Sequence, residues 1–405
     1  MAITINAKTS GAGGLETTAD NTGNINIQSG GSTVMSVTSS GVAITGALSQ
    51  NGAVYSTQPS FRNLIINGDM RIDQRNAGSA VTSATNVYLT DRWQLQISGT
   101  TNTPSFQQVT DAPTGFQYSL KATSNGSETI AANQAVTPRQ RLEGFNVAHL
   151  LYGTANAKTI TVSFWVKSSL TGTWNVSVSN DNFTRGYIKE YTVSSANTWE
   201  YKTVTIPGDT SGTWNINNTT GLILMFPVDT GTDLNGAANT WLAGNYRTTA
   251  GSNRLLETSG ATFYVTGVQL EVGTTATDFE NLPYDVELAR CQRYFQSFGG
   301  SNVAETVGQG TSFSTTNTYV LIHLLQTMRS VPSLGYSAVG DWRLHYPGVT
   351  GQEATVMAIS TNDSNNTKVI VNTTTATNAS MGGGKCIQLT ADSTISARLT
   401  FSAEL

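Results

Sequence analysis

The sequence is poor in charge and has no long apolar runs. Asp, Glu, Lys and Arg make up 12% of its 405 residues, about half of the usual share of roughly 25%. The net charge of -4 leaves no basic excess for a nucleic-acid surface. The longest apolar runs, such as "GLILMF" at 221–226, are far shorter than the ~20 residues of a membrane helix. We therefore expect neither a nucleic-acid partner nor membrane insertion.

Cysteine and histidine are also scarce. Cys291 and Cys386 stand alone, which indicates neither a disulfide framework nor a metal-binding spacing. The opening "MAITINAKTS" lacks the features of a secretory signal, so we expect synthesis in a reducing cytoplasm. The three histidines are isolated, and neither a G-x-S-x-G elbow nor a complete dinucleotide glycine motif occurs. These absences argue against the common nucleophilic and cofactor-dependent enzymes.

Uncharged polar residues, glycine and aromatic residues are plentiful. The chain has 39 Gly, 7 Trp, 14 Tyr and 13 Phe, and so many aromatic residues argue against disorder. Thr and Val favour pleated strands, while Gly and Asn favour turns. The composition is therefore typical of β-rich, particle-borne or extracellular proteins.

Residues 1–60 are predicted to be a stalk or attachment segment. Between 14 and 56, short apolar alternations such as Ile25 with Ile27 and Val42 with Ile44 are separated by glycine turns. Each piece is too thin to bury a face alone, so we expect three copies of the chain to share a core. The alternative is a flexible Gly/Ser linker.

Residues 61–281 are predicted to form an antiparallel sandwich, most simply a jelly roll. "KTITVSFWVKSS" alternates so that four apolar residues share the core face and Trp165 lies on the other. "TWNVSVSN" likewise places Trp174, Val176 and Val178 together. Turn clusters such as "PGDTSGT" separate the strands.

Residues 282–299 are predicted to form a helical neck, and 300–405 a small β-rich tip domain. In "LPYDVELARCQRYFQSFGG" an apolar stripe recurs at helical spacing, and Gly299 is suited to end the helix. The stripe residues are Leu288, Cys291, Phe295 and Phe298. Beyond it, "TYVLIHLLQTM", "TKVIVNTTTATN" and "ISARLTFSAEL" read as strands. The predicted fold class is therefore all-β with one short helix.

Several blocks of the chain resemble bacteriophage tail-fibre proteins that carry a jelly roll like those of carbohydrate-binding modules. The blocks are "RNLIINGDMRIDQRN", "YLTDRWQL", "ITVSFWVKSSLTGTW", "TWEYKTVTIPGDTSGTW", "FYVTGVQLEVGTTATDFENLPYDVELARCQRYFQ" and "MRSVPSLGYS". The opening "GLETTADNTGNINIQSGGSTVMSVTSSGVAITGALS" is similar to the attachment segment of such fibres.

This resemblance implies a homotrimeric virion protein on the exterior of the particle, assembled in the host cytoplasm. Its N-terminus would join a phage tail or capsid protein, and its later domains would meet a host cell-surface glycan or envelope protein during adsorption. A capsid-attached fibre or decoration protein of the same architecture is the alternative.

Catalysis and metal binding have weaker support in the sequence. Glycosidic cleavage needs two carboxylates facing each other in a cleft, and no clustered acids on a long repeat occur, so a polysaccharide depolymerase is the less favoured alternative. We predict no catalytic residues, no metal ligands and no cofactor. The resemblance to carbohydrate-binding jelly rolls also implies a structural calcium ion beside the first and last strands, near Asp69 and Glu271 or Asp278. These acids are more simply turn caps or partners of Arg71 and Arg92.

Aromatic residues outside the core pattern are the candidates for receptor contact, because ring faces hold the C–H patches of sugars. Trp165 is one candidate. In "GDWRLHYPG" we predict a polar and aromatic contact loop with Trp342, His345 and Tyr346. Further aromatic residues near predicted loops are Trp174, Trp199, Trp214, Trp241, Tyr187 and Tyr191.

Overall fold

The computed structural model describes most of the chain after residue 60 and separate strands before it. The described residues are 3–7, 15–19, 25–29, 31–38, 41–44, 48–50, 53–55, 61–300, 304–346, 349–375, 383–392 and 397–405. The chain divides into two compact units, Met1–Arg62 and Asn63–Leu405.

The first unit contains seven described strands. They are β1 (Ile3–Ala7), β2 (Leu15–Ala19), β3 (Ile25–Ser29), β4 (Ser32–Thr38), β5 (Gly41–Ile44), β6 (Leu48–Gln50) and β7 (Ala53–Tyr55). One sheet has the order β2-β1-β3-β4-β5, with β1 antiparallel to β2 and parallel to β3, and β6 pairs with β7. The prediction of short strands here is confirmed, and the core shared by three chains stays a prediction.

The second unit begins with a sandwich of two antiparallel sheets. Its strands are β8 (Val81–Thr82), β9 (Val87–Thr90), β10 (Trp93–Ser98), β11 (Ser105–Val109), β12 (Ser119–Thr123), β13 (Ala135–Glu143), β14 (Ile160–Ser168), β15 (Gly172–Ser179), β16 (Gly186–Val193), β17 (Glu200–Ile206), β18 (Thr220–Met225), β19 (Asp229–Thr230), β20 (Trp241–Leu242) and β21 (Thr262–Val272). The eight-stranded sheet runs β20-β16-β15-β18-β13-β10-β9 with β19 beside β13, and the six-stranded sheet runs β17-β14-β21-β12-β11-β8. Short helical turns lie between strands at α1 (Gly144–Val147), Ala148–Leu150, Thr232–Leu234 and Leu255–Glu257. The predicted sandwich is confirmed.

The sandwich core is filled from the inward faces of both sheets. The residues predicted inward on β14 and β15 are all fully buried, namely Ile160, Val162, Phe164, Val166, Trp174, Val176 and Val178. Phe164 of the six-stranded sheet packs edge-on against Phe226, with ring centroids 5.0 Å apart. Trp174 of the eight-stranded sheet meets Phe263 of β21 at 4.9 Å. Aromatic rings thus interlock across the two layers, as period-two alternation requires.

The predicted neck helix is shorter than expected. Helix α2 covers Tyr284–Gln292, and the next segment is strand β22 (Phe295–Phe298), which pairs with a strand near the end of the chain. The predicted apolar stripe is therefore divided between a helix and a strand, because pairing in a sheet satisfies the backbone groups that would otherwise extend the helix. Among the described helices, none has the length and apolar character needed to cross a membrane.

The remaining strands form a small sheet and a closed barrel. They are β23 (Thr306–Ser312), β24 (Asn317–His323), β25 (Ser333–Tyr336), β26 (Trp342–Tyr346), β27 (Val349–Ile359), β28 (Lys368–Thr375), β29 (Cys386–Ala391) and β30 (Leu399–Ser402), with a 3-10 turn at Val339–Asp341 before β26. The small sheet has the order β22-β30-β25, and the barrel closes as β23-β24-β28-β27-β26-β29. Its interior holds Val320, Ile322, Trp342, Val371 and Leu389. Closure leaves no free sheet edge in the barrel.

A buried charged joint connects the sandwich with the segment after β30. The Glu404 carboxylate binds Arg75 (2.7 Å) and also Arg92, whose side chain is 2% exposed. The Arg92 guanidinium carbon lies 3.6 Å from the ring centroid of Tyr294. Arg75 lies 3.7 Å from the Phe295 ring centroid, so both guanidiniums sit on aromatic faces. Arg92, which lies in the block "YLTDRWQL", therefore has a structural role in this joint.

Asp91 introduces a pH dependence at this joint. Its buried carboxylate accepts hydrogen bonds from the Gln74 backbone N–H (2.6 Å) and side-chain Nε2 (3.0 Å), and burial raises its pKa to about 7. The folded state therefore binds more protons than the unfolded state between about pH 4 and pH 7. The stability contribution is complete below about pH 4 and is lost as the pH rises through 7, at no more than ~1.4 kcal/mol per pH unit.

Urea unfolding of the wild type and Asp91→Asn between pH 4 and pH 8 measures this contribution. We expect the substitution to make the downward slope shallower, most clearly between pH 6 and pH 7, since the amide oxygen still accepts a hydrogen bond without carrying charge, whereas burial raises the pKa of Asp229 only to about 6. Parallel pH profiles for the two proteins would refute this assignment.

Candidate functional site

The outer face of the six-stranded sheet carries an exposed aromatic cleft. Trp165 points away from the core, as its position in the alternation predicted, and is half-buried. It lies opposite Tyr201 in the antiparallel pairing of β14 with β17, and the two ring centroids are 5.4 Å apart. Tyr201 is 45% exposed, so its ring can be reached from solvent. Ser163 and Thr203 line the same cleft.

A bulge at Gly267 shapes the floor of the cleft. The pairing of β14 with β21 shifts register here, and Gly267 has φ +60°, a conformation that favours glycine. A Cβ at this position would lie 2.7 Å from the Phe116 ring and 3.2 Å from the Trp165 ring. Because of the extra residue, Val265 and Val268 both face the core and are fully buried. The bulge therefore allows two aromatic side chains to approach the backbone.

The loop at 274–279 forms one wall of the cleft. It is attached to β21 through Glu271, whose buried carboxylate accepts hydrogen bonds from the Thr277 backbone N–H (2.8 Å) and hydroxyl (2.7 Å). At the end of the loop, Phe279 packs edge-on against Phe116, with ring centroids 5.1 Å apart. Buried hydrogen bonds and ring packing together hold this wall in place.

A second aromatic group continues along the same face. The Lys167 ammonium lies 4.3 Å from the ring centroid of Tyr264 and 5.1 Å from that of Trp199. Lys167 is also paired with Asp111, which accepts a hydrogen bond from the Trp199 indole (3.2 Å). The hydrogen bond from Lys167 holds the pKa of Asp111 below its usual range. The face thus offers two adjoining sets of rings with polar groups between them.

The cleft has a volume of about 740 Å³, and its lining suits a flat ligand with one apolar and one polar side. The lining comprises Phe116, Ser163, Trp165, Tyr201, Thr203, Gly267 and residues 274–279. Ring faces can pack on C–H groups while the hydroxyls exchange hydrogen bonds with a ligand's hydroxyls. Asp278 is the single carboxylate among these described lining residues.

The prediction of a contact loop around Trp342 is wrong, because this segment is a strand. Residues Trp342–Tyr346 form strand β26, and the side chains of Trp342 and Tyr346 are 0% and 5% exposed inside the barrel. A strand in a closed barrel alternates inward and outward, so only His345 of the three faces outward. It is half-buried and lines a cleft of about 440 Å³ with Gln309 and Gln388.

The other aromatic candidates have mixed positions. Trp174, Tyr187 and Tyr191 are buried, whereas Trp214 and Trp241 are half-buried and pack edge-on against each other at 5.7 Å. Three cleft residues were not predicted as contacts, namely Phe116, Tyr201 and Phe279. The usable signal was the isolated glycine in "YVTGVQLEV", since a glycine inside a strand pattern indicates a bulge or a close approach.

The acids considered for a calcium ion are engaged by protein groups. Asp69 pairs with Arg71 at 3.1 Å, and Glu271 accepts the hydrogen bonds of the cleft loop described above. In the described part of the chain, no group of three or more His, Cys, Asp or Glu side chains is arranged to hold a metal ion.

The fold and the site define an all-β protein whose two-sheet sandwich carries an open aromatic cleft on one outer face. No family model matches the chain, and no curated protein matches it.

Solved structures that match part of the chain include the enzymatically active domain of bacteriophage CBA120 tailspike protein 4. That match is 12% identical with a TM-score of 0.27, and it covers 52% of this chain but 22% of the tailspike chain. TmCBM61 in complex with beta-1,4-galactotriose is 11% identical (TM-score 0.27), with coverage of 52% of this chain and 99% of that chain. A family 11 carbohydrate-binding module of Clostridium thermocellum is 16% identical (TM-score 0.24), with coverage of 48% and 99%.

Proposed function

We propose that this protein is a non-enzymatic fibre of a phage virion whose sandwich binds a glycan on the host surface during adsorption. The observation that carries the binding role is the aromatic cleft formed by Trp165, Tyr201 and Phe116 on the outer face of the six-stranded sheet. The virion role comes from the resemblance of the sequence blocks to tail-fibre proteins. A capsid-attached fibre with the same architecture is the alternative.

The chemistry of the cleft favours binding of a glycan over its cleavage. It also favours an uncharged sugar as the part of the glycan that enters the cleft. Hydrolysis of a glycosidic bond uses two carboxylates about 5 to 10 Å apart, and Asp278 is the one carboxylate among the described lining residues. Rings next to hydroxyls match the mixed apolar and polar faces of a neutral sugar. The adjoining group of Trp199, Tyr264 and Lys167 extends the surface so that more than one sugar unit can lie along it.

Trp165→Ala is expected to weaken glycan binding by about tenfold or more, because a central aromatic anchor carries much of the affinity at such sites. The measurement is binding of the full chain to an array of neutral oligo- and polysaccharides, followed by titration with the best ligand. The fold should be retained, since Trp165 lies outside the core.

Trp214→Ala is the matched control. It removes the same half-buried side chain from a cluster outside the cleft, so the array pattern should stay that of the wild type. Wild-type binding by the Trp165 variant, or no binding of any glycan by the wild type, would sink the binding proposal.

The homotrimer is tested by the mass of the full-length protein in solution. We expect a mass near three times 42.9 kDa and resistance to SDS without boiling, because thin strands in the first unit need partners to bury a core. A monomer at micromolar concentration would contradict the fibre architecture and leave the glycan site standing on its own.

A further inference from the structure

The opposite side of the sandwich contains a second polar region, on the outer face of the eight-stranded sheet. Strand pairing aligns Ser177, Met225, Arg139 and Gln94 in one row across four strands. Met225 is fully buried yet is not part of the sandwich core. Chain segments outside the sheet therefore cover this face, and Arg139 lies beneath them.

Two buried guanidiniums meet here without a carboxylate. Arg139 and Arg247 are 4% and 2% exposed. Arg139 donates to the neutral side-chain oxygens of Gln94 (2.9 Å) and Gln96 (2.5 Å), and Arg247 donates to that of Asn245 (3.1 Å).

The carboxylate of Asp181 does not neutralise the two guanidiniums. Asp181 is paired with Arg141 at 2.7 Å, and neither Arg139 nor Arg247 forms an ion pair with a described residue. Burial, and then the charges of Arg141 and Arg247, lower the pKa of Arg139 to about 9, so it remains charged at pH 7. Buried charges without partners are costly, and an anion would offset that cost.

Several buried hydrogen-bonding atoms without a partner belong to the pair itself or to the sheet face that carries Arg139. Nη1 of Arg247 is buried and has no partner. The same holds for Oγ1 of Thr137, Oγ of Ser177 and Nδ2 of Asn175, which belong to the same face of β13 and β15 as Arg139 and its neighbours. An oxyanion could accept hydrogen bonds from several of these donors at once.

The Phe183 ring bridges the two guanidiniums. Its centroid is 5.2 Å from the guanidinium carbon of Arg247 and 6.0 Å from that of Arg139. Phe183 has φ +53°, an uncommon conformation for a bulky residue, in a turn held by the Asn180 side chain. The ring therefore packs against both guanidiniums, and we expect a ligand to reach them by displacing it.

We propose that Arg139 and Arg247 bind one small oxyanion group, a carboxylate or a sulfate, next to the Phe183 ring. Guanidinium forks match the geometry of both groups. This site lies on the other sheet from the Trp165 cleft and stands whether or not that cleft binds a neutral sugar. In a host glycan, such a group would be a uronic acid or a sulfate ester.

Isothermal titration calorimetry of the full chain at low salt and pH 7 tests the site, with sodium glucuronate, sodium sulfate and glucose in separate arms. We expect saturable binding of at least one anion and none of glucose. Glucuronate alone would identify a sugar-borne carboxylate as the ligand, and sulfate alone a sulfate group. Arg247→Gln should weaken that binding about tenfold or more, since it removes charge-assisted hydrogen bonds.

Arg343→Gln is the control, because it removes an arginine that is paired with Glu353 and Asp392 in the distant barrel. The affinity of this variant for the anion should equal that of the wild type. If Arg247→Gln does not fold by circular dichroism, Arg247→Lys replaces it, keeping the charge without the fork, and weaker binding is again expected. No saturable anion binding by the wild type, glucose binding equal to that of glucuronate, or unchanged affinity in the folded Arg247 variant would overturn the proposal.

Discussion

Glu404→Gln is expected to lower the free energy of unfolding by about 3 to 5 kcal/mol, because it leaves a buried arginine without its counter-charge. The Arg92 side chain is 2% exposed and the Glu404 side chain 7% exposed, so water cannot solvate the guanidinium once its counter-charge is lost. The same substitution weakens the bond to Arg75, whose guanidinium lies on the Phe295 and Tyr88 rings. Chemical denaturation followed by near-ultraviolet circular dichroism measures the effect.

Glu353→Gln provides the matched comparison for this experiment. Glu353 pairs with Arg343 at 3.5 Å, but its side chain is 65% exposed. Exposed pairs contribute about 0 to 1 kcal/mol, so the stability should hardly change. Equal effects of the two substitutions would mean that the joint at Glu404 is not a buried ion pair in solution.

Trp342→Ala is expected to destabilise the C-terminal barrel by about 3 to 5 kcal/mol, as for other buried aromatic residues that are truncated. The Trp342 side chain is completely buried among the barrel strands, where an alanine would leave a cavity. The measurement is thermal and urea unfolding, together with limited proteolysis of the region after residue 300. Loss of host adsorption in this variant would therefore report an unfolded barrel and not a lost contact.

Trp342→Phe separates packing from hydrogen bonding. The Trp342 indole N–H is buried without a partner, so phenylalanine gives up volume but no hydrogen bond. We expect a smaller loss than with alanine, because most of the ring volume is kept. A wild-type unfolding midpoint for Trp342→Ala would instead place the indole outside the barrel core.

Several contacts attach the C-terminal region to the sandwich. The carboxylate of Glu404 connects the end of the small sheet to the turn between β9 and β10, where Arg92 adopts φ +69°. Arg329 adds hydrogen bonds to the backbone oxygens of Ala403 (2.7 Å) and Asn218 (2.8 Å). These contacts attach the C-terminal region to the sandwich at several points, so a stability loss at Glu404 should be felt on both sides.

Local pattern was sufficient for the strands and their inward faces. Along most of β14 and β15 every second residue is large and apolar. A strand can bury such residues only on one of its two faces. The sequence alone therefore predicted both the sandwich and the outward position of Trp165. The short strands β3 to β6 followed from the same reasoning, applied to glycine-separated pieces.

Other features of the fold and of the two sites depended on pairing between segments that are far apart in the sequence. The bulge at Gly267, the exchange of a helix for strand β22 after residue 294, and the closure of the barrel over Trp342 depend on partners far along the chain. Alternation along a strand predicts that the side chains of Trp342 and His345 point to opposite faces. It does not predict which face lies inside the barrel, because the inner face is defined only when the last strand closes the barrel. The meeting of Arg139 with Arg247 is likewise a tertiary event, since residues 108 positions apart carry no signal of each other in the sequence. Their shared burial without an acid emerges only when the loops fold over the sheet.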